Sequence, residues 1–175
     1  MKITTDLRLL GRERRPVVLA AGFFDGLHLG HRRVIDETVA EARRLHGSAW
    51  VLTFDKHPMK VLRPGSAPLL LTSNHHKVQL LGKLCVDGCL LMPFTRRLAA
   101  MSPEAFVELL SAAVPALKRI FVGENWRFGH REEGDAALLV KLAHRRSIKV
   151  TVVKPVRTGG VIVSSTRIRG KVASG

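Results

Sequence analysis

The stretch Val17-Val18-Leu19-Ala20-Ala21-Gly22-Phe23-Phe24-Asp25-Gly26-Leu27-His28-Leu29-Gly30-His31 decides the fold. Its first five residues are an unbroken apolar run, as expected of a strand buried on both faces. A glycine-rich turn follows, and a helix is predicted from about His31. Val34, Ile35, Thr38, Val39, Ala42 and Leu45 recur at helical spacing, and Gly47 closes the element. Residues 49–54 again read as a strand. Strand, turn, helix and strand in this order imply a right-handed parallel crossover.

The alternation continues outward. Residues 77–84 read as a helix and 88–94 as a strand. Ser102-Pro103-Glu104 is a helix start, with Ser as N-cap and Pro at the first helical position. Phe106, Val107, Leu110 and Val114 form its apolar stripe, and Pro115 ends it. Residues 120–122 form a short buried strand before Gly123, 136–143 a helix, 148–153 a strand and 161–163 a last short strand. The expected class is α/β: a Rossmann-like parallel sheet with helices on both faces. Ligands in such sheets bind at the carboxyl ends of the strands, where the unusual residues of this chain fall.

A length of 175 residues fits one domain. Lys and Arg total 29 against 14 acidic residues, a net charge of +15 that invites a nucleic-acid reading. The cations are dispersed in pairs such as Arg32-Arg33 and Arg145-Arg146, and aromatic platforms are few. No nucleic-acid partner is expected; anionic small ligands account for the excess equally well. Cys85 and Cys89 read as buried small hydrophobes rather than a metal pair or a disulfide. Leu9-Leu10 before Arg12 is too short for a signal-peptide core, and no stretch reaches transmembrane length. A cytoplasmic protein without a membrane partner is expected.

Three clusters carry chemistry. In residues 22–31 the glycines permit close backbone approach to a ligand, and the helix N-terminus favours anions. His28 and His31 can both donate hydrogen bonds to phosphate oxygens as charge builds there. A metal pair would need further ligands, and the position after a buried strand favours phosphate. Ser164-Ser165-Thr166-Arg167-Ile168-Arg169 combines a capping hydroxyl, backbone amides and a guanidinium fork at the end of another strand. Alone it reads as an N-cap with a basic first turn; beside the histidine motif it reads as a second phosphate contact. Gly123-Glu124-Asn125-Trp126-Arg127-Phe128-Gly129 sets polar groups beside aromatics, which suits either a planar heterocycle or an aromatic-cored loop. Residues 53–58, closed by Pro58, form either another wall or an ordinary turn.

Together these segments resemble the bacterial FAD synthetase family, in its FMN adenylyltransferase module, over nearly the whole chain. The family's G-x-F-D-G-x-H-x-G-H is present from Gly22 to His31, and its F-x-P-H-P as Phe54-Asp55-Lys56-His57-Pro58. Leu71-Thr72 with Lys77, the loop from Val122 to Gly129, Gly134-Asp135 and the S-S-T-x-x-R ending at Arg169 complete it. The resemblance implies transfer of AMP from ATP to FMN, with FAD and pyrophosphate as products and Mg²⁺ accompanying ATP. It implies His28, His31 and Arg169 as catalytic residues. Gly22, Phe24, Asp25, Gly30, Ser164, Ser165 and Thr166 would meet ATP and its phosphates. Phe54, His57, Pro58, Asn125, Arg127 and Phe128 would meet the flavin, and no protein metal ligand is assigned. The rival readings are a nucleotidyltransferase for another phosphorylated acceptor and a non-catalytic flavin- or nucleotide-binding module. Two departures stand out. Lys56 replaces a proline of the family pattern, adding charge in what should be the flavin loop. Bacterial members usually continue into a riboflavin kinase domain, whereas residues 1–175 are expected to form a single adenylyltransferase domain without one.

Overall fold

The computed structural model describes residues 1–174. A six-stranded parallel sheet has the order β1-β4-β3-β2-β5-β6. Its strands are β1 (Lys2–Thr4), β2 (Val17–Ala21), β3 (Ser48–Phe54), β4 (Gly88–Met92), β5 (Leu117–Gly123) and β6 (Lys149–Val153). β2 lies inside the sheet, paired to β3 and β5, and is buried along its whole length. That is why its sequence is apolar without alternation. From β2 the chain builds β3, β4 and then crosses back to β5 and β6, so the strand order reverses between β2 and β5. The carboxyl ends at this reversal open a crevice, the usual ligand position in open α/β sheets.

Helices cover both faces. Val18 and Ala20 of β2 pack with Val34 and Ile35 of α2 (Leu29–Arg44) and Leu81 of α4 (Asn74–Gly82). Val17, Leu19 and Ala21 point the other way. They pack with Phe106 and Leu110 of α6 (Pro103–Ala113) and Leu139 of α7 (Ala136–His144). Two-residue alternation along the strand thus feeds two separate cores. The remaining helices are α1 (Leu7–Leu10), α3 (Pro58–Leu62), α5 (Arg96–Ala99) and α8 (Ser165–Ser174). No helix among the described residues is long and apolar enough to cross a membrane.

Several elements differ from the sequence reading. α2 begins at Leu29 because the His28 side chain is its N-cap, accepting from the His31 amide. α4 spans Asn74–Gly82, rather than 77–84, because the Ser73 hydroxyl caps it earlier. Pro58 does not close a turn; it is the first residue of α3, capped by His57. The last short strand leaves the sheet: β8 (Val161–Ile162) pairs antiparallel with β7 (Arg157–Thr158). Gly159 and Gly160, at φ 58° and 78°, supply the left-handed turn this hairpin requires. The two cysteines also part company. Cys89 is buried as expected, whereas Cys85 is exposed on the loop after α4.

The β3–β4 pairing depends on Gly88 lying opposite Trp50. A Cβ added at Gly88 would stand 2.5 Å from atoms of the Trp50 ring, which is itself in the core. Gly88→Ala is therefore expected to destabilise the fold by ~1–3 kcal/mol through overpacking. A urea denaturation midpoint unchanged from wild type would show that the indole can move aside freely.

Candidate active site

The loop after β2 is held by one carboxylate. Asp25, 1% exposed, accepts hydrogen bonds from the Leu71 amide at 3.0 Å and the Thr72 amide at 3.0 Å. The Thr72 hydroxyl adds a bond at 3.2 Å, and Nη2 of Arg169 one at 3.1 Å. Burial raises the Asp25 pKa, but the two amides and the guanidinium outweigh it and hold the carboxyl below its ordinary range. The Asp25 backbone carbonyl also accepts from the Ser165 hydroxyl at 3.0 Å. Asp25 thus fastens the first loop to the segment before α4 and to α8. Phe24 and Leu27 take left-handed backbone conformations in the same loop, at φ 51° and 38°.

Lys77 fastens the loop from the other side. Its ammonium is 1% exposed and faces no carboxylate at bonding distance. Nζ donates to the carbonyls of Phe23 at 3.1 Å and Phe54 at 3.2 Å, and lies 4.4 Å from the Phe23 ring centroid. The ends of β2 and β3 are therefore pinned by one cation. Burial pushes its pKa below the usual lysine value.

The two histidines of the loop are stacked. Their ring centroids lie 3.6 Å apart, 18° from parallel, and the Phe24 ring meets His31 edge-on at 5.3 Å. Nδ1 of His28 accepts from the His31 amide at 3.3 Å. A neutral His28 therefore carries its proton on Nε2 and presents an N–H donor. Burial lowers the His28 pKa. It lowers that of His31 to about 3, with help from the neighbouring His28 and Lys77. Both rings are neutral near pH 7. Nδ1 of His31 is buried without a partner, as is Nε of Arg169.

Two cavities open at the carboxyl ends of the strands. The smaller, of about 260 Å³, is lined by Gly22, Phe24, His28, Gly30, His31, Ser164 and Ser165. The larger, of about 750 Å³, is walled by Phe54, Pro58, Arg127 and Phe128. These expected residues thus gather into two groups, as their sequence segments suggested. Others lie elsewhere. Asn125 lines the smaller cavity, not the larger, because it and Arg127 sit on opposite sides of the turn after β5. His57 is outside both linings: its Nδ1 caps α3 through the Met59 amide at 3.2 Å, and its ring edge meets Phe23 at 4.9 Å. Thr166 is exposed on α8, and Arg169 turns to Asp25. Lys56 is exposed and outside the larger cavity's lining, so nothing here directs its ammonium toward a ligand there. The sequence reading also missed wall residues. Phe94 meets Phe54 edge-on at 5.4 Å, and Met59 and Arg63 line the same cavity. Lys154, just past β6, lines the smaller one, and its place after a strand was the available signal.

Residues 11–167 match the family described as FAD synthetase. The chain belongs to that family. It is similar to the bifunctional riboflavin kinase/FMN adenylyltransferase of Escherichia coli K12, at 33% identity over 89% of this chain and 50% of that protein. The Listeria monocytogenes protein of the same name is 35% identical, over 90% of this chain and 50% of its own length. A putative bifunctional riboflavin kinase/FMN adenylyltransferase of Geobacillus thermodenitrificans is 35% identical over 90% of this chain and 83% of that one. The chain spans about half the length of the first two relatives. A crystal structure described as a macrolide-efflux protein from Streptococcus pneumoniae superposes with a TM-score of 0.83. It shares 24% identity, over 98% of this chain and 57% of that one, and supports the fold alone.

The buried imidazoles tie stability to pH. The folded pKa of His31, about 3, lies below its ordinary value of 6.5, so the unfolded chain binds more protons between these limits. Stability is complete above the upper value and is lost as pH falls toward the lower. Between pH 7 and pH 5 the expected loss from His31 is about 2 kcal/mol, with His28 and His57 adding in the same direction. Urea titrations at the two pH values should give a shallower dependence for His31→Gln. Parallel profiles for the two proteins would remove His31 as the cause.

Proposed function

We propose that this chain transfers the adenylyl group of ATP to FMN, forming FAD and pyrophosphate. The observation that carries the reading is the pairing of two unlike cavities at the strand reversal. A wide aromatic cavity adjoins a narrower one built on the histidines and the α2 N-terminus. The first suits a planar tricyclic ring, packed against Phe54 and Phe128. The second suits a polyphosphate, with the free amides of the first turn of α2 and the His28 Nε2–H as donors.

In this reaction an oxygen of the FMN phosphate forms a bond to the α-phosphorus of ATP. The bond from that phosphorus to the α,β-bridging oxygen breaks, and pyrophosphate leaves with the electron pair. A phosphate monoester has its second pKa at about 6, so the nucleophile is already ionised near pH 7. No strong base is required, which agrees with two imidazoles kept neutral. Positioning and donation toward developing charge are the tasks left for the protein. Ser164 and Ser165 close the smaller cavity from the α8 side. Arg169 is paired with the Asp25 carboxylate and, with Ser165, holds α8 beside that cavity. Mg²⁺ is proposed to travel on the triphosphate. Among the described residues no three His, Cys, Asp or Glu side chains gather to hold a metal, and the Asp25 carboxylate is filled by internal donors. Oxygen atoms of the substrate and water would supply most of its ligands.

Release of pyrophosphate from ATP that depends on FMN, with FAD appearing in equal amount, tests the activity directly. His28→Ala is expected to lower kcat by ~10²–10³. The same change should alter FMN affinity little, because His28 lines only the smaller cavity. Turnover near the wild-type rate would exclude His28 from the chemistry. AMP transfer to another phosphorylated acceptor but not to FMN would replace the proposed substrate.

A further inference from the structure

Among the described residues, Trp126 is the one residue that lines both cavities. It sits on the turn that follows β5, where the strand order reverses, and its amide donates to the Gly123 carbonyl at 3.0 Å. Its ring is wedged rather than free. Phe128 stacks on it with centroids 4.8 Å apart and planes within 12°, and Phe106 flanks it at 6.4 Å. Trp126 is half-buried.

The geometry points to Trp126 as a positioning residue that couples the two substrate cavities. This inference rests on the two-substrate reading above. A ligand in the larger cavity and a ligand in the smaller one press on the same indole. Whichever binds first fixes the position of that wedged ring and, with it, the shape of the wall met by the second. The second ligand then binds a surface already ordered, and its affinity rises. The same wedge sets where the FMN phosphate emerges relative to the α-phosphorus, a distance to which in-line displacement is sensitive. Phenylalanine at this position presents a smaller edge to both sides and should couple them less.

The test measures FMN binding by calorimetry with and without Mg²⁺ and α,β-methylene ATP, whose modified bond is the one the reaction would break. The proteins are wild type, Trp126→Phe and Trp126→Ala. Wild type is expected to bind FMN at least about fivefold more tightly in the presence of the analogue. By reciprocity the analogue should gain the same factor from FMN. In Trp126→Ala each ligand should still bind alone, while the coupling factor falls below about twofold. A merely structural role would weaken both affinities and leave their ratio intact. Coupling that persists at the wild-type level in the alanine variant would overturn the inference, since direct contact between the ligands would then carry it. Absence of coupling in wild type would overturn it as well. Should the alanine variant not fold, Trp126→Phe decides: a factor reduced about twofold or more supports the proposal, and an unchanged factor rejects it. Wild-type protein that binds neither ligand would overturn the reading of the site and this inference with it, a result distinct from binding without coupling.

Discussion

The Asp25 carboxylate is the contact on which the rest of the site depends. It joins segments 46, 47 and 144 residues away in sequence: Leu71, Thr72 and Arg169. α8 has no buried residue of its own, so packing does little to hold it. Its polar attachment runs through Asp25, by way of Ser165 and Arg169. A buried carboxylate is stable only when its lone pairs are filled, and here they are. Removing it would leave a guanidinium without its counter-charge and three segments without a common anchor. Such losses typically cost ~3–5 kcal/mol, well above that of a surface ion pair.

Around this anchor the candidate site offers neutral donors rather than a dense cluster of free cations. The N-terminus of α2 borders the smaller cavity through His28, Gly30 and His31, and His28 both caps the helix and offers its remaining N–H. Neutral donors fixed in place need no reorganisation as charge moves during phosphoryl transfer. The net charge of +15 supplies only a diffuse background attraction for anionic ligands.

The central parts of the fold were legible because their signals are strong. β2 is an unbroken apolar run, α2 has a long stripe at helical spacing, and α6 opens with Ser102-Pro103. α1, α3 and α5 are four or five residues long, too short to repeat an apolar stripe. The β7–β8 hairpin had its sign in Gly159-Gly160, but two-residue strands carry almost no pattern of their own. Within the site, the grouping of residues by segment was legible and their individual directions were not. Asn125 and Arg127 are two apart on a turn, yet they line different cavities. Asp25 sits among ligand-like residues in sequence, while the partners that turn it inward are distant. His57 followed by Pro58 fits a turn and a helix start equally well, and only the fold decides between them.

Lys77 brings a different consequence, concerning what selection for robustness would do to this protein. A fully buried ammonium bonded to carbonyls and a hydroxyl is a weak spot in a core, since desolvation is only partly offset. An apolar side chain of similar length, as in Lys77→Met, relieves that cost, offsetting the loss of the donor to the Phe54 carbonyl, and is expected to leave the melting temperature nearly unchanged. It also unties Phe23 from Phe54, and with them the loop that carries His28. Melting temperature and turnover measured on this variant should therefore move apart. If both held, the pin would be dispensable. Selection that scored only heat resistance would accept the change, although Lys77 is the residue that ties the ends of β2 and β3 beside the His28 loop.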